Sequence, residues 1–200
     1  MKNSSKVRTI GDPIGLRYSE AGSGNAVLVL KTSSDDQLED RLAQSYRVIT
    51  FEIHEIRDQR AIADTLAGAA DQLSITKYCL IADPELAPAA IAHAIASNDS
   101  VEALILLAPA IAANIVSIDF PLEKITAPTL VLFGTRDQVL APETGRDYVG
   151  PIPNCFYSLV YDAGHNIRTD RPQALYAIVR DFLEHREKFV IQRESSVVNP

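Results

Sequence analysis

The side chains able to do chemistry in this chain are few and scattered. There are two cysteines and four histidines among 200 residues. Cys79 and Cys155 stand far apart in apolar, strand-like runs, which predicts two buried, reduced thiols and neither a disulfide nor a reactive nucleophile. His54 and His185 sit beside charged residues and read as surface positions. His93 comes seven places after Leu86, on one helical face with it, and reads as a satisfied, partly buried histidine. His165, in Asp162-Ala-Gly-His165, and Asp137, in Gly134-Thr-Arg-Asp137, stand in turn-like segments. Each alone is an ordinary turn or loop residue. Together they hold a chemistry: an imidazole that donates one N–H to a carboxylate keeps its other nitrogen free to move a proton. No His, Cys, Asp or Glu spacing suits a metal and no glycine-rich loop cradles phosphate. Neither metal nor cofactor is expected.

Two further groups of candidates follow apolar runs. Lys77-Tyr-Cys-Leu-Ile-Ala-Asp-Pro-Glu-Leu86 reads as a strand entering a helix. There Asp83 can cap, Pro84 suits the first helical position, and Glu85 lies near the positive end of the dipole. Pro88 removes an intrahelical hydrogen bond, so the helix is expected to kink or to begin at that residue. The second group is Lys31-Thr-Ser-Ser34, after another strand. Its sharper reading is an anion site at a helix N-terminus. Its plainer and preferred reading is a solvated Lys31 beside a polar capping loop.

The elements that must position these residues alternate along the chain. Apolar runs at Ala26–Leu30, Val48–Phe51, Tyr78–Ile81, Ala103–Leu107, Thr129–Phe133 and Phe156–Val160 are apolar on both faces, as in a parallel sheet covered on both sides. Gly15 to Ser19 is expected to add an edge strand. Ile62, Leu66, Ala69, Ala70 and Leu73 recur at helical spacing, as do Leu175, Ile178, Val179, Phe182 and Leu183. Leu38 and Leu42 suggest a shorter helix. Strand–helix alternation predicts an α/β fold, a mostly parallel central sheet with helices on both faces.

The order of these pieces resembles the α/β-hydrolase family from about Gly15 to Glu187. Tyr18-Ser-Glu-Ala-Gly-Ser-Gly24 with Val27–Leu30 resembles the family's opening hairpin and central strand. Ile125-Thr-Ala-Pro-Thr-Leu-Val-Leu-Phe-Gly-Thr-Arg-Asp137 resembles the strand and turn that present the triad acid, and Asp162-Ala-Gly-His165 the turn that carries its histidine. The resemblance implies that Asp137 and His165 meet as a dyad. It also puts the nucleophile on Pro84, with Gly-x-Ser-x-Gly reading Ala82-Asp-Pro-Glu-Leu86. Proline has no nucleophile, and its φ near −65° does not fit the strained elbow. The family's oxyanion loop falls on Lys31 and Thr32. The helical lid is reduced to Ala110–Lys124, whose Ile111, Ile115, Val116, Ile118 and Phe120 would fold over the pocket or form an apolar patch for self-association.

These readings predict one lidless domain over 1–191 and a polar, frayed tail over 192–200. A net charge of −7 and the absence of a basic stripe argue against nucleic acid as partner. No apolar run is long enough to span a bilayer and the N-terminus is not signal-like, so a cytoplasmic chain is expected. Three functions stand open. The favoured one is a non-hydrolytic homologue that binds a small molecule near His165 or a partner, including a second copy of itself. An enzyme using the Asp137–His165 dyad as general acid–base is the alternative. A conventional esterase is opposed by Pro84.

Overall fold

The apolar runs become the strands of one sheet. The structure, a computed structural model, describes residues 8–9, 17–56, 58–110, 120–189 and 197–198. Its strands are β1 (Arg8–Thr9), β2 (Arg17–Ala21), β3 (Ala26–Lys31), β4 (Arg47–Glu52), β5 (Tyr78–Ala82), β6 (Val101–Leu107), β7 (Thr129–Gly134), β8 (Cys155–Val160) and β9 (Val197–Val198). They lie in the order β1-β2-β4-β3-β5-β6-β7-β8-β9. β1 with β2 and β2 with β4 pair antiparallel, and every other pairing is parallel. The segment expected at the edge forms β2, which lies one strand in, between β1 and β4. Within the tail expected to fray, Val197 and Val198 pair with Leu159 and Val160.

Helices cover both faces. They are α1 (Gln37–Leu42), α2 (Gln59–Gln72), α3 (Ala87–Ala96), α4 (Ile167–Asp170) and α5 (Pro172–His185). The two-residue period of the strands divides the core in two. Leu28, Leu30, Leu80, Leu104 and Leu106 pack with Leu66 of α2 and Ile91 of α3. Val27, Val29, Ile81, Ile105 and Leu130 pack with Leu38 of α1 and Leu175, Val179 and Phe182 of α5. Both sheet faces are therefore sealed, and the candidate residues emerge where β3, β5, β7 and β8 end. Ile111, Ile115, Val116 and Ile118 of the short connection lie outside the described residues, while Phe120 packs half-buried against the α2–α3 side of the core.

Candidate functional site

Two adjoining turns carry the acid and the imidazole. β7 ends at Gly134, and the Asp137 N–H closes a turn onto the Gly134 carbonyl at 3.2 Å. The turn after β8 passes through Asp162, whose φ of +61° lies in the left-handed region that aspartate tolerates. The turns are stitched together by Thr135 N–H to the Val160 carbonyl (3.0 Å), Arg136 N–H to the Ala163 carbonyl (2.8 Å) and Asp162 N–H to Thr135 Oγ1 (2.9 Å). Gly134 permits this approach, because a Cβ there would stand 2.2 Å from the Gly164 carbonyl oxygen. The Asp137 carboxylate is buried. Its Oδ1 accepts from the Val139 and Leu140 N–H groups, each at 2.9 Å, and its Oδ2 accepts from His165 Nδ1 at 2.8 Å. Three donors fix the carboxylate, and the carboxylate fixes the ring. With Nδ1 donating, Nε2 of the neutral ring is an acceptor, and it has no hydrogen-bond partner among the described residues.

The His165 ring lines a cavity of about 150 Å³ shared with Thr32, Ser33, Asp83, Pro84 and Glu85. The sequence candidates therefore do converge, though not in the roles their local patterns suggest. Asp83 has an extended backbone (φ −66°, ψ 161°) and makes no side-chain cap. Pro84–Leu86 form one 3-10 turn, and α3 follows from Ala87 with Pro88 in its first turn. The two prolines thus divide the helix start, as Pro88 predicts. Gln59 of α2 spans the junction, donating to the Glu85 carbonyl at 2.8 Å and accepting from the Ala89 N–H at 3.1 Å.

Asp83 is neither a helix cap nor a solvated carboxylate: it is buried. Its Oδ2 accepts from the Thr32 N–H at 3.1 Å, and its Oδ1 accepts from Arg168 Nε. Arg168, on α4, is only 3% exposed and also donates from Nη1 to Glu39 Oε1 at 2.8 Å. Burial pushes the Glu39 carboxyl above its ordinary value, with Arg168 and Lys31 pulling it back. Burial also opposes the Arg168 charge, yet Glu39 and Asp83 outweigh that cost and raise its pKa. The backbone N–H where the resemblance places an oxyanion donor is thus already held by an internal carboxylate. Thr32 Oγ1 reaches Glu85 Oε2 at 3.4 Å.

Lys31 is not solvated. It is fully buried, donating to the Asp35 carbonyl at 3.1 Å and to Asp36 Oδ1, with Glu52 Oε1 at 3.5 Å. A buried ammonium needs such partners, and they draw it into the loop after β3. At the start of α1, Asp35 Oδ1 accepts from the Gln37 N–H at 3.0 Å. His93 is buried with both nitrogens satisfied: Nδ1 donates to the Ala63 carbonyl at 2.9 Å, and Nε2 accepts from the Tyr78 hydroxyl at 2.5 Å. Cys79 is buried and Cys155 half-buried. Both are free thiols, pushed up by burial to about 11 and about 12, so neither is a thiolate near neutral pH.

Arg168 and Glu39 are the site residues that sequence reasoning missed. Each lies in a stretch of mixed polarity, Ile-Arg-Thr-Asp170 and Gln-Leu-Glu-Asp-Arg41, with nothing to distinguish it from a solvated charge. Among the described residues, no three His, Cys, Asp or Glu side chains are placed to hold a metal ion, and no helix is long and apolar enough to cross a membrane.

Known structures share the fold. A serine hydrolase involved in carbazole degradation superposes with a TM-score of 0.77 over 90% of this chain and 99% of its own, at 16% identity. The carboxylesterase CesB of Bacillus subtilis does so with a TM-score of 0.77 over 91% and 92%, at 13% identity. The chain has the α/β-hydrolase fold. A third α/β-hydrolase-fold neighbour, a thermophilic esterase of Thermogutta terrifontis, gives 0.72 over 90% and 98%, at 19% identity. In sequence, a monoacylglycerol lipase of Xenopus laevis is 32% identical over 62 residues, which is 31% of this chain and 18% of the lipase. The match therefore spans less than a fifth of that relative. No protein-family model matches.

Proposed function

We propose that this α/β-hydrolase-fold protein is a non-hydrolytic homologue that binds a small molecule beside His165 or a partner at the same end of the sheet. The observation that carries this reading is the Asp83 carboxylate held between the Thr32 N–H and Arg168, next to Pro84, on which the sequence resemblance puts the nucleophile. Acyl transfer needs a nucleophile and an N–H free to meet developing negative charge. Pro84 supplies no nucleophile, and Asp83 occupies the Thr32 N–H. The structural neighbours' activities are those of other chains at low identity, and they enter here only as the chemistry this site departs from.

The test is turnover of p-nitrophenyl butyrate by wild type, His165→Ala and Pro84→Ser. All three are expected to match the spontaneous rate, because restoring a serine neither relaxes the turn nor frees the Thr32 N–H. Turnover lost with His165→Ala would overturn the reading, and robust turnover by Pro84→Ser would overturn the account of the turn. A second reading, general acid–base chemistry by Asp137 and His165, is favoured by one feature: the 2.8 Å hydrogen bond that leaves Nε2 open to the cavity.

A further inference from the structure

Asp137 holds the His165 ring, but a ring keeps its place only if the backbone that carries it is held in turn. Several ties fix that backbone. The Ala163 carbonyl accepts from the Arg136 N–H at 2.8 Å, and three residues beyond the histidine Arg168 is anchored to Asp83 and Glu39. Between these points the Gly164 N–H donates to Asp170 Oδ2 at 2.7 Å. This bond acts on the residue immediately before His165, and no role has yet been given to Asp170.

The short helix α4 makes the contact. The Asp170 N–H donates to the Asn166 carbonyl at 3.1 Å, and the Thr169 N–H to Asn166 Oδ1 at 3.4 Å. One helical turn thus brings the Asp170 carboxylate back to Gly164, with its Oδ1 3.4 Å from the Thr169 hydroxyl. Glycine leaves it room, since a Cβ on residue 164 would stand 3.0 Å from Oδ2.

A plainer role exists for the same side chain. Asp170 lies two residues before Pro172, where α5 begins, and a carboxylate suits the positive end of a helix dipole. Its oxygens, however, face Gly164 and Thr169. Charge at α5 and an acceptor at Gly164 are separable properties: asparagine keeps an acceptor oxygen and loses the charge.

We propose that Asp170 is a positioning residue for His165: by holding the Gly164 N–H, its carboxylate sets the backbone from which the imidazole reaches Asp137, and with it the placement of the free Nε2. This goes beyond the ligand-binding reading and stands whether the site only binds a molecule or acts on it.

The experiment follows the imidazole N–H protons of the whole protein by proton–nitrogen NMR in wild type, Asp170→Ala and Asp170→Asn. The His93 Nδ1 proton, held by the Ala63 carbonyl, reports on the rest of the fold. In Asp170→Ala the His165 Nδ1 proton is expected to move upfield and to exchange with water about three- to tenfold faster, the loss of one hydrogen bond, while the His93 proton keeps its position and rate. In Asp170→Asn the His165 proton is expected to stay as in wild type. A His165 proton unaltered by Asp170→Ala overturns the proposal, and so does an equal change at His93, which would mean general loosening. Asparagine behaving like alanine overturns it in favour of charge at α5. Should Asp170→Ala fail to fold, wild type alone decides: a scalar coupling through the hydrogen bond, from the Gly164 amide nitrogen to the Asp170 carboxyl carbon, is expected, and its absence overturns the proposal. His165-dependent ester hydrolysis would overturn the non-hydrolytic reading and leave this one standing.

Discussion

Arg168 is a buried cation held between two buried carboxylates. Its guanidinium is 3% exposed and joins Asp83 at the end of β5 to Glu39 on α1. Removing the shared partner takes the guanidinium from two buried carboxylates at once. Arg168→Ala is therefore expected to cost about 3–5 kcal/mol of stability, read as a lower midpoint in urea unfolding. A loss below about 1 kcal/mol, the range of exposed ion pairs, would mean the network is not a structural tie. The same network commits both oxygens of Asp83, one to Thr32 and one to Arg168. Local pattern could show that Asp83 precedes a helix. It could not show that an arginine 85 residues later in the chain would be buried against it.

Between elements, the decisive contact is that of the turns after β7 and β8. Gly134→Ala would set a methyl 2.2 Å and 2.3 Å from the carbonyl oxygens of Gly164 and Ala163. Backbone atoms cannot swing aside, so the turns must separate. The expected results are a destabilisation of about 1–3 kcal/mol and a weakened Asp137–His165 bond, seen as an upfield move of the His165 Nδ1 proton by NMR. A variant that keeps that resonance and the wild-type melting point would show that the turns have slack. The elements themselves were legible: all six long apolar runs are strands within a residue or two, and the stripes in 59–72 and 172–185 are helices. Runs apolar on both faces have few ways to be buried other than in a covered sheet. The two-residue strands β1 and β9 were not legible, because so few residues carry no periodicity.

For the molecule as a whole, folding is coupled to the protonation of His93. Burial lowers its pKa, against the opposing pull of the Ala63 carbonyl and Asp64. Tyr78, pushed up to about 12 chiefly by burial, stays a hydroxyl donor. The unfolded chain protonates this histidine near about pH 6.5, and the folded chain does so only at lower pH. Stability tied to neutral His93 is thus fully present above about pH 6.5 and is lost as the pH falls through the folded pKa. His93→Gln, though less stable overall, is expected to show a shallower loss of unfolding free energy from pH 7 to pH 5. An unchanged slope would assign the acid sensitivity to other groups, with Glu39 excluded by sign: its raised pKa makes stability fall with rising pH, not with falling pH.

The sequence by itself determined the sheet, the helices that cover it, and the two turns that present Asp137 and His165. Those features are encoded by the period of apolar residues and by local backbone preference, which neighbouring positions reveal. It also excluded a serine from the turn after β5, since Pro84 is read directly. Only the tertiary structure decided what became of the charges at that end of the sheet. Lys31, expected in solvent, and Asp83, expected to cap a helix, are both buried, because the partners the fold brings to them offset the cost of removing them from water. The environment of a charged side chain is set by what the fold brings against it, and that information is spread over residues 31, 39, 83 and 168 rather than held in any one segment.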